Sequence, residues 1–149
     1  MELSTGHEVA DALGRLLRRS TRANLYADLT EGLGPAVDDV TYPVLSGLAR
    51  TGPCSAADLA GEIGIDRSGV SRRASRLEEA GLVRREPDPE DRRAVLLALT
   101  DAGSDCVREL RERLAARLEA ALAQWPADEA RIFARGLRRF VEDGPFTEA

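Results

Sequence analysis

The sequence predicts a mainly α-helical fold with one small β-hairpin, and three observations lead to this prediction. The chain of 149 residues is rich in Leu and Ala, and aromatic residues make up only 4% of it, which favours helices over a β-sandwich. Apolar residues recur at helical spacing towards both ends of the chain. Between these segments, two short apolar runs flank a turn with two prolines, as strands flank the turn of a hairpin.

The N-terminal part of the chain predicts two helices. Thr5 and Glu8 form a capping box, and apolar positions continue at helical spacing to about residue 30, which predicts one long helix. Glycines and a proline then end it. Asp38 or Asp39 can cap the second helix, in which a proline falls early, where its missing donor costs least.

Two shorter helices joined by a tight turn are expected next. The first spans residues 56–63 and is closed by a glycine. The second spans about residues 67–80. Asp66 or Ser68 can cap its start, and Gly81 suits a left-handed residue after its end.

A hairpin and two further helices complete the predicted elements. The strands are expected at residues 82–86 and 94–99, because the prolines between them cannot lie in a central strand. A hairpin of this size is not stable alone, so it must pack against the helices. Thr100 then caps a long helix that Pro126 ends, and a last helix spans about residues 128–142.

The charge of the chain is unevenly distributed. The net charge of the whole chain is −5, which by itself argues against nucleic-acid binding. Residues 67–76, however, carry four arginines and no acidic residue. DNA responds to the local patch, so an acidic protein with one basic helix can still bind it. All 21 basic residues are arginine, whose planar guanidinium group suits phosphates and guanine edges.

Two helices joined by a short glycine-containing turn, the second of them basic, are typical of a helix-turn-helix. In this motif the second helix enters the major groove of DNA. The polar and basic residues expected near bases or phosphates are Arg67, Ser68, Ser71, Arg72, Arg73 and Arg76. A solvated basic face is the alternative for the helix alone, but the arginine-tipped hairpin that follows favours DNA binding.

Two segments resemble the MarR family of bacterial transcriptional regulators. DRRAVLLALTDAG at residues 91–103 resembles the DxR…LTxxG signature of that family, and residues 66–86 resemble its recognition helix and first wing strand. The resemblance is strongest over residues 38–103. It implies a single MarR-like domain at 1–149, composed of a winged helix-turn-helix lobe at 38–103 and a helical dimerisation region at 5–30 and 101–143.

The resemblance also implies a role for the turn between the strands, the tip of the wing. Arg93 matches the arginine of the DxR motif, and Arg92 is its neighbour. One of them is expected to enter or flank the minor groove of DNA. In A·T-rich tracts this groove is narrow and attracts arginine. Asp91 is expected to orient an arginine through a charge-assisted hydrogen bond, and a simple turn residue is the alternative.

A homodimer that reads a pseudo-palindromic operator, with half-sites about 34 Å apart, is implied as well. The terminal helices are longer than a winged helix needs, which favours a dimer over the alternative of an intramolecular core. The apolar residues expected in the dimer interface are Leu3, Val9, Leu13, Leu16, Leu114, Leu118, Ile132, Phe133, Leu137 and Phe140.

Many members of this family release DNA when a small aromatic effector enters a pocket beside the DNA-binding lobe. Residues that could line such a pocket are Tyr26, Tyr42, Leu45 and Leu110, with ordinary core packing as the alternative. The expected function is that of a ligand-responsive repressor that binds specific double-stranded DNA. The alternative is a winged-helix module that binds another protein and not DNA.

Other classes of protein find little support in the sequence. It contains no GxSxG, Walker or GxGxxG motif and a single His, so no catalytic residues are assigned and no enzyme is expected. Two distant cysteines without a CxxC motif make a metal site improbable, and no cofactor is expected. No apolar run approaches the ~18 residues of a membrane span, and the N-terminus does not resemble a signal peptide, so a cytoplasmic location is expected.

Overall fold

The computed structural model describes residues 2–146, which form seven α-helices and a two-stranded antiparallel sheet. In chain order these elements are α1 (Thr5–Leu16), α2 (Arg19–Thr30), α3 (Tyr42–Thr51), α4 (Ala56–Ile63), α5 (Arg67–Glu79), β1 (Val83–Pro87), β2 (Val95–Leu99), α6 (Asp101–Leu122) and α7 (Ala127–Asp143). The predicted mainly α-helical fold with a small hairpin is confirmed. Met1 and residues 147–149 of the predicted domain lie outside the described residues.

These elements belong to two compact units, one up to Arg111 and one from Glu112. The predicted winged helix-turn-helix lobe at residues 38–103 lies within the first unit, together with α2. The division between the units falls inside α6.

The prediction of one long N-terminal helix is wrong. The helix ends at Leu16, and Arg18 takes an extended conformation before α2 begins. The hydroxyl group of Thr21 donates to the carbonyl oxygen of Arg15 at 2.9 Å and so satisfies a group in the last turn of α1. The predicted cap is also displaced by one residue, because Ser4 is extended and its Oγ accepts the amide of His7.

The start of α3 differs from the prediction too. Its N-cap is Thr41, whereas Asp38 lies three residues earlier and its Oδ1 accepts the amides of Val40 at 2.9 Å and Thr41 at 3.0 Å. Thr41 is fully buried, and its hydroxyl group donates to the carbonyl oxygen of Ala36 at 2.6 Å. The aspartate therefore orders the loop before the helix, since its carboxylate is used one turn too early to cap α3.

The helix-turn-helix itself follows its local signals. Ser55 caps α4 by accepting the amide of Asp58, and Asp66 caps α5 by accepting the amide of Gly69. Gly64 between the two helices has φ +74°, a left-handed conformation that glycine adopts without strain. These signals lie within three residues of each helix end, which explains why the sequence predicts this part of the fold well.

The core of the first unit lies between α2, α3, α4, α5 and the sheet. Its fully buried apolar residues include Leu29, Val44, Leu45, Leu48, Leu59, Val70 and Leu77. Gly47 allows α3 to lie close to α4, because a Cβ there would approach the side chains of Ile63 and Leu59 to 2.8 and 2.9 Å.

The hairpin is anchored on both sides of β2. One side pairs with β1 in a register that places Val83 opposite Leu99. On the other side, Leu97 forms two backbone hydrogen bonds with Cys54, of 2.8 and 3.1 Å, so the segment before α4 extends the sheet. These bonds and the burial of Leu97 hold the hairpin against the helices, as expected for a hairpin too small to be stable alone.

The second unit contains the end of α6 and the whole of α7. Every residue of α7 is described and none is buried, although the helix has a strongly apolar face. Large apolar side chains exposed on it include Ile132, Phe133, Leu137 and Val141. The ring of Phe133 lies 5.2 Å from that of Trp125, and the ring of Phe140 lies 5.5 Å from that of Phe146.

Candidate nucleic-acid interface

The packing of α5 determines which of its side chains face solvent. Val70, Ala74 and Leu77 are fully buried and attach one side of the helix to the core. Arg67 and Arg72 are exposed on other sides of the helix. The helix therefore presents a basic outer surface, as its sequence predicts.

The arginines in and around α5 fall into two groups. In the first group, the guanidinium groups form no hydrogen bond or ion pair with any residue in the described range 2–146. Its members include Arg67, Arg72 and Arg73 on α5, and Arg92 and Arg93 in the turn of the hairpin. Their charges are not neutralised within that part of the chain, so they are available to an anionic partner.

Arg76 belongs to the second group, although the sequence predicted it as a DNA contact. Its Nη2 lies 2.7 Å from Oδ2 of Asp38 and donates to the carbonyl oxygen of Pro35 at 3.2 Å. Partial burial raises the pKa of Asp38, but hydrogen bonds from Arg76 and from the backbone of Thr41 and Val40 outweigh this, and the pKa lies below its usual value. Arg76 thus connects α5 to the loop before α3.

Arg85 is a second arginine with internal partners, and the sequence analysis missed it. From β1 it donates through Nη2 to the carbonyl oxygen of Ser71 at 3.2 Å and to Oγ of Ser75 at 3.3 Å, and through Nη1 to Oε1 of Glu78 at 3.2 Å. Side chains alternate along a strand, so Arg85 shares a side of β1 with the buried Val83. The alternation of side chains along β1 could therefore have indicated from the sequence that Arg85 faces α5.

The turn of the hairpin differs in one respect from the expectation. Oδ1 of Asp91 accepts the backbone amide of Arg93 at 3.0 Å, and the carbonyl oxygen of Asp91 accepts the amide of Ala94. Within the described residues, the carboxylate of Asp91 bonds to no guanidinium group. Asp91 therefore acts as a simple turn residue, because its short side chain closes a turn of its own backbone. The side chain of Arg93 is exposed to solvent.

A basic cleft of about 260 Å³ lies between the start of α4, helix α5 and the hairpin. Its charged lining residues are Arg67, Arg85 and Arg93, and no acidic residue of the range 2–146 lines it. Ser71, predicted as a DNA contact, also lines the cleft, but its Oγ lies 3.4 Å from Nη2 of Arg85. The cleft thus lies between Arg67 of α5 and Arg93 of the hairpin turn, whose guanidinium groups have no partner within residues 2–146.

A second cleft, of about 500 Å³, lies between α2 and the turn that precedes α5. Its polar lining includes Arg19, Arg22, Tyr26 and Arg73, together with the acidic residues Asp39 and Asp66. Of the residues predicted to contact an effector, Tyr26 lies here and stacks on Tyr42 with ring centroids 4.2 Å apart. Leu45 and Leu110 are buried, as residues of a core would be.

The residues predicted for a dimer interface are mostly exposed in this single chain. Leu3, Val9 and Leu16 are exposed in the first unit, and Leu13 is half-buried. In the second unit, the exposed members are Leu118, Ile132, Phe133 and Leu137, and the half-buried ones are Leu114 and Phe140.

Residues 2–146 contain neither a candidate metal site nor a candidate membrane span. No group of three or more His, Cys, Asp or Glu side chains in that range could hold a metal ion. No helix in the same range has the length and apolar character needed to cross a membrane.

Known proteins resemble this chain in sequence and fold. The family model described as "MarR family" matches residues 32–94. HTH-type transcriptional regulator YxaD of Bacillus subtilis, itself uncharacterized, is 30% identical over 118 residues, which cover 79% of this chain and 82% of YxaD. HTH-type transcriptional repressor NicR of Pseudomonas putida is 28% identical over 73% of each chain. The crystal structure of apo MarR from E. coli, 19% identical, has the same fold, with a TM-score of 0.72 over 95% of this chain and 99% of MarR.

Proposed function

Because the chain belongs to the MarR family of transcriptional regulators, we propose that it binds a specific double-stranded DNA operator as a homodimer and represses transcription from it. DNA binding is the part of this function that the family itself supports. One observation supports the site: the guanidinium groups of Arg67, Arg72 and Arg73 on α5, and of Arg92 and Arg93 in the hairpin turn, have no partner within residues 2–146. We expect the protein in the cytoplasm, where such DNA lies.

We propose the following DNA contacts for the exposed residues of α5 and of the hairpin turn. The exposed Ser68 and Arg72 on α5 would face base edges in the major groove, where one bidentate arginine–guanine pair contributes about 1–3 kcal/mol of discrimination. Arg92 and Arg93 would lie at the minor groove. Arg67 and Arg73 would contact phosphates, which position the protein but carry no sequence information.

Selection of bound duplexes from random DNA tests this assignment, followed by measurement of the dissociation constant (Kd) of the enriched duplex at several salt concentrations. Each neutralised phosphate contributes about 0.9 to the slope of log K against log salt, so a steep slope is expected. Arg72→Ala should weaken binding and relax the preference at one base pair. Arg108→Ala is the matched control, because Arg108 is an exposed arginine of the same unit, on α6. Absence of any enriched duplex, with salt-independent capture of a protein partner, would favour the alternative of a protein-binding module.

Repression is supported by the similarity to NicR, whose name describes it as a repressor. A reporter gene placed downstream of the enriched duplex should be expressed less when the protein is produced. Higher expression would show an activator.

The homodimer is supported by the apolar side chains that remain exposed in one chain, above all those of α7. Contiguous exposed apolar surface of this kind is typical of an interaction site. Sedimentation should therefore give twice the mass of one chain. Ile132→Glu, which places a charge on the exposed face of α7, should shift the protein towards the monomer, whereas Arg131→Glu beside it should not.

An effector site is proposed at the second cleft, where the ring of Tyr26 offers a stacking surface for a small aromatic compound. Arg73 lines the same cleft and lies on α5, so a bound compound would contact the reading helix. Titration of the DNA complex with a panel of small aromatic acids and phenols tests this. For any compound that makes the protein release DNA, Tyr26→Ala should abolish this release.

A further inference from the structure

Arg85 joins the wing to the recognition helix through one side chain. Its hydrogen bonds end on Ser71, Ser75 and Glu78. These positions are four and then three residues apart, so they lie on one side of α5 and span about 10 Å of its length. A rigid, planar guanidinium group bonded at three points along a helix restrains both the tilt and the rotation of that helix relative to β1.

Arg76 restrains α5 from another side. It lies five residues after Ser71, which places it about 140° further around the helix at 3.6 residues per turn. Its ion pair with Asp38 connects that side to the loop before α3. The exposed Ser68 and Arg72 lie between these two attachments, so the part of α5 that would face DNA is fixed on both flanks.

We infer that Arg85 is a positioning residue for specific DNA recognition: it sets the angle between the recognition helix and the wing and does not itself contact DNA. This inference rests on the proposed function. An enriched operator requires the helix and the wing to fit their grooves simultaneously, whereas non-specific DNA requires only phosphate contacts. Loss of the bridge should therefore lower the preference for the operator more than the affinity for DNA in general.

The neighbouring residues provide a matched control on the same strand. Arg84 forms an ion pair with Glu86 at 3.0 Å and donates to the carbonyl oxygen of Leu99, so its bonds stay within the hairpin. The double variants R85M/E78Q and R84M/E86Q each remove one ion pair and leave the net charge unchanged. Any difference between them therefore reports the connection to α5 and not a change in charge.

The test measures three quantities for each variant. They are the Kd of the duplex that wild type enriches from random DNA, the Kd of a scrambled duplex of equal composition, and the salt slope. We expect R85M/E78Q to lower the ratio of specific to non-specific affinity about tenfold, a change of about 1.4 kcal/mol, with an unchanged slope. R84M/E86Q should keep the wild-type ratio. Arg67→Met removes a guanidinium group that has no partner within residues 2–146. It should lower the slope by about 0.9 and weaken binding to both duplexes equally.

Two single variants distinguish geometry from charge and keep the test valid if the double variant does not fold. Arg85→Lys keeps the charge, but one ammonium group does not reproduce the planar arrangement of donors in a guanidinium group. Its ratio of specific to non-specific affinity should therefore lie between those of wild type and R85M/E78Q. Ser75→Ala removes one acceptor and should lower the ratio about threefold without changing the slope. Equal ratios in wild type, R85M/E78Q and Ser75→Ala would overturn the inference, as would a slope lowered by about 0.9 in R85M/E78Q. Failure of wild type to enrich any duplex would instead contradict the proposed function, and the inference with it.

Discussion

Replacement of Gly103 by alanine should destabilise the protein, although alanine favours helices. A Cβ at this position of α6 would overlap the carbonyl oxygen of Leu82, which accepts the amide of Thr100 at 3.1 Å. Because a backbone atom cannot turn aside as a side chain can, the helix must shift, and such overpacking costs about 1–3 kcal/mol. The shift would also strain the cap between the amide of Gly103 and Oγ1 of Thr100, which contributes about 1 kcal/mol. Alanine regains only about 0.5–1 kcal/mol of helix propensity, so a net loss of about 1–3 kcal/mol remains.

The matched control is Gly61→Ala, because Gly61 lies in α4 and a Cβ there would meet no atom of the described residues within 4 Å. This variant should be more stable than wild type by about 0.5–1 kcal/mol. Thermal and urea unfolding, followed by circular dichroism, measure both. A change of 1 kcal/mol corresponds to about 2–4 °C in a chain of this size, so the two variants should move the melting temperature in opposite directions. A Gly103→Ala variant as stable as wild type would refute the steric reasoning.

Two further predictions concern charged residues of the first unit. Arg93→Ala should weaken binding to the enriched duplex at least tenfold, as measured by fluorescence anisotropy. It should not lower the melting temperature, since the guanidinium group of Arg93 has no partner within residues 2–146. Unchanged affinity at moderate salt would contradict this prediction. The pKa of Asp38 is lowered in the folded state from its ordinary value of 3.8, so its stabilising effect is complete above about that pH and is lost as the pH falls through the lowered pKa. The difference in unfolding free energy between wild type and Asp38→Asn should therefore shrink when urea titrations are repeated from pH 7 down to pH 3, and a difference independent of pH would count against the role of the carboxylate.

The sequence predicts those parts of the fold that are determined within a few residues. The bounds of α4 agree with the prediction, and both strands begin within one residue of the predicted positions. Helix caps, turn glycines and prolines act within a few residues along the chain, so the element ends that they determine can be predicted without a structure. The break between α1 and α2 has no such signal, because Arg18 is compatible with a helix and its extended conformation is not marked by a glycine or proline.

The candidate site is less predictable because its arginines look alike in sequence. Arg72 and Arg76 lie on the same helix, and both fit a DNA contact by their spacing. They differ through Asp38, which is remote in sequence and approaches only Arg76 in the folded chain. Likewise, Arg84 and Arg85 are adjacent, but only the second faces α5. Such distinctions depend on tertiary packing, which local propensity does not encode.

The same distinctions explain how a chain of net charge −5 can present a DNA-binding surface. Two acidic residues close to α5 are paired with arginines that orient the helix: Asp38 with Arg76, and Glu78 with Arg85. Partly exposed pairs of this kind contribute only about 0–1 kcal/mol to stability, so their main effect is on orientation. Because each pair is neutral, it leaves uncancelled the charges of Arg67 and Arg72, which have no partner within residues 2–146. The carboxylates of Asp38 and Glu78 thus fix α5 without cancelling the charge of Arg67 and Arg72.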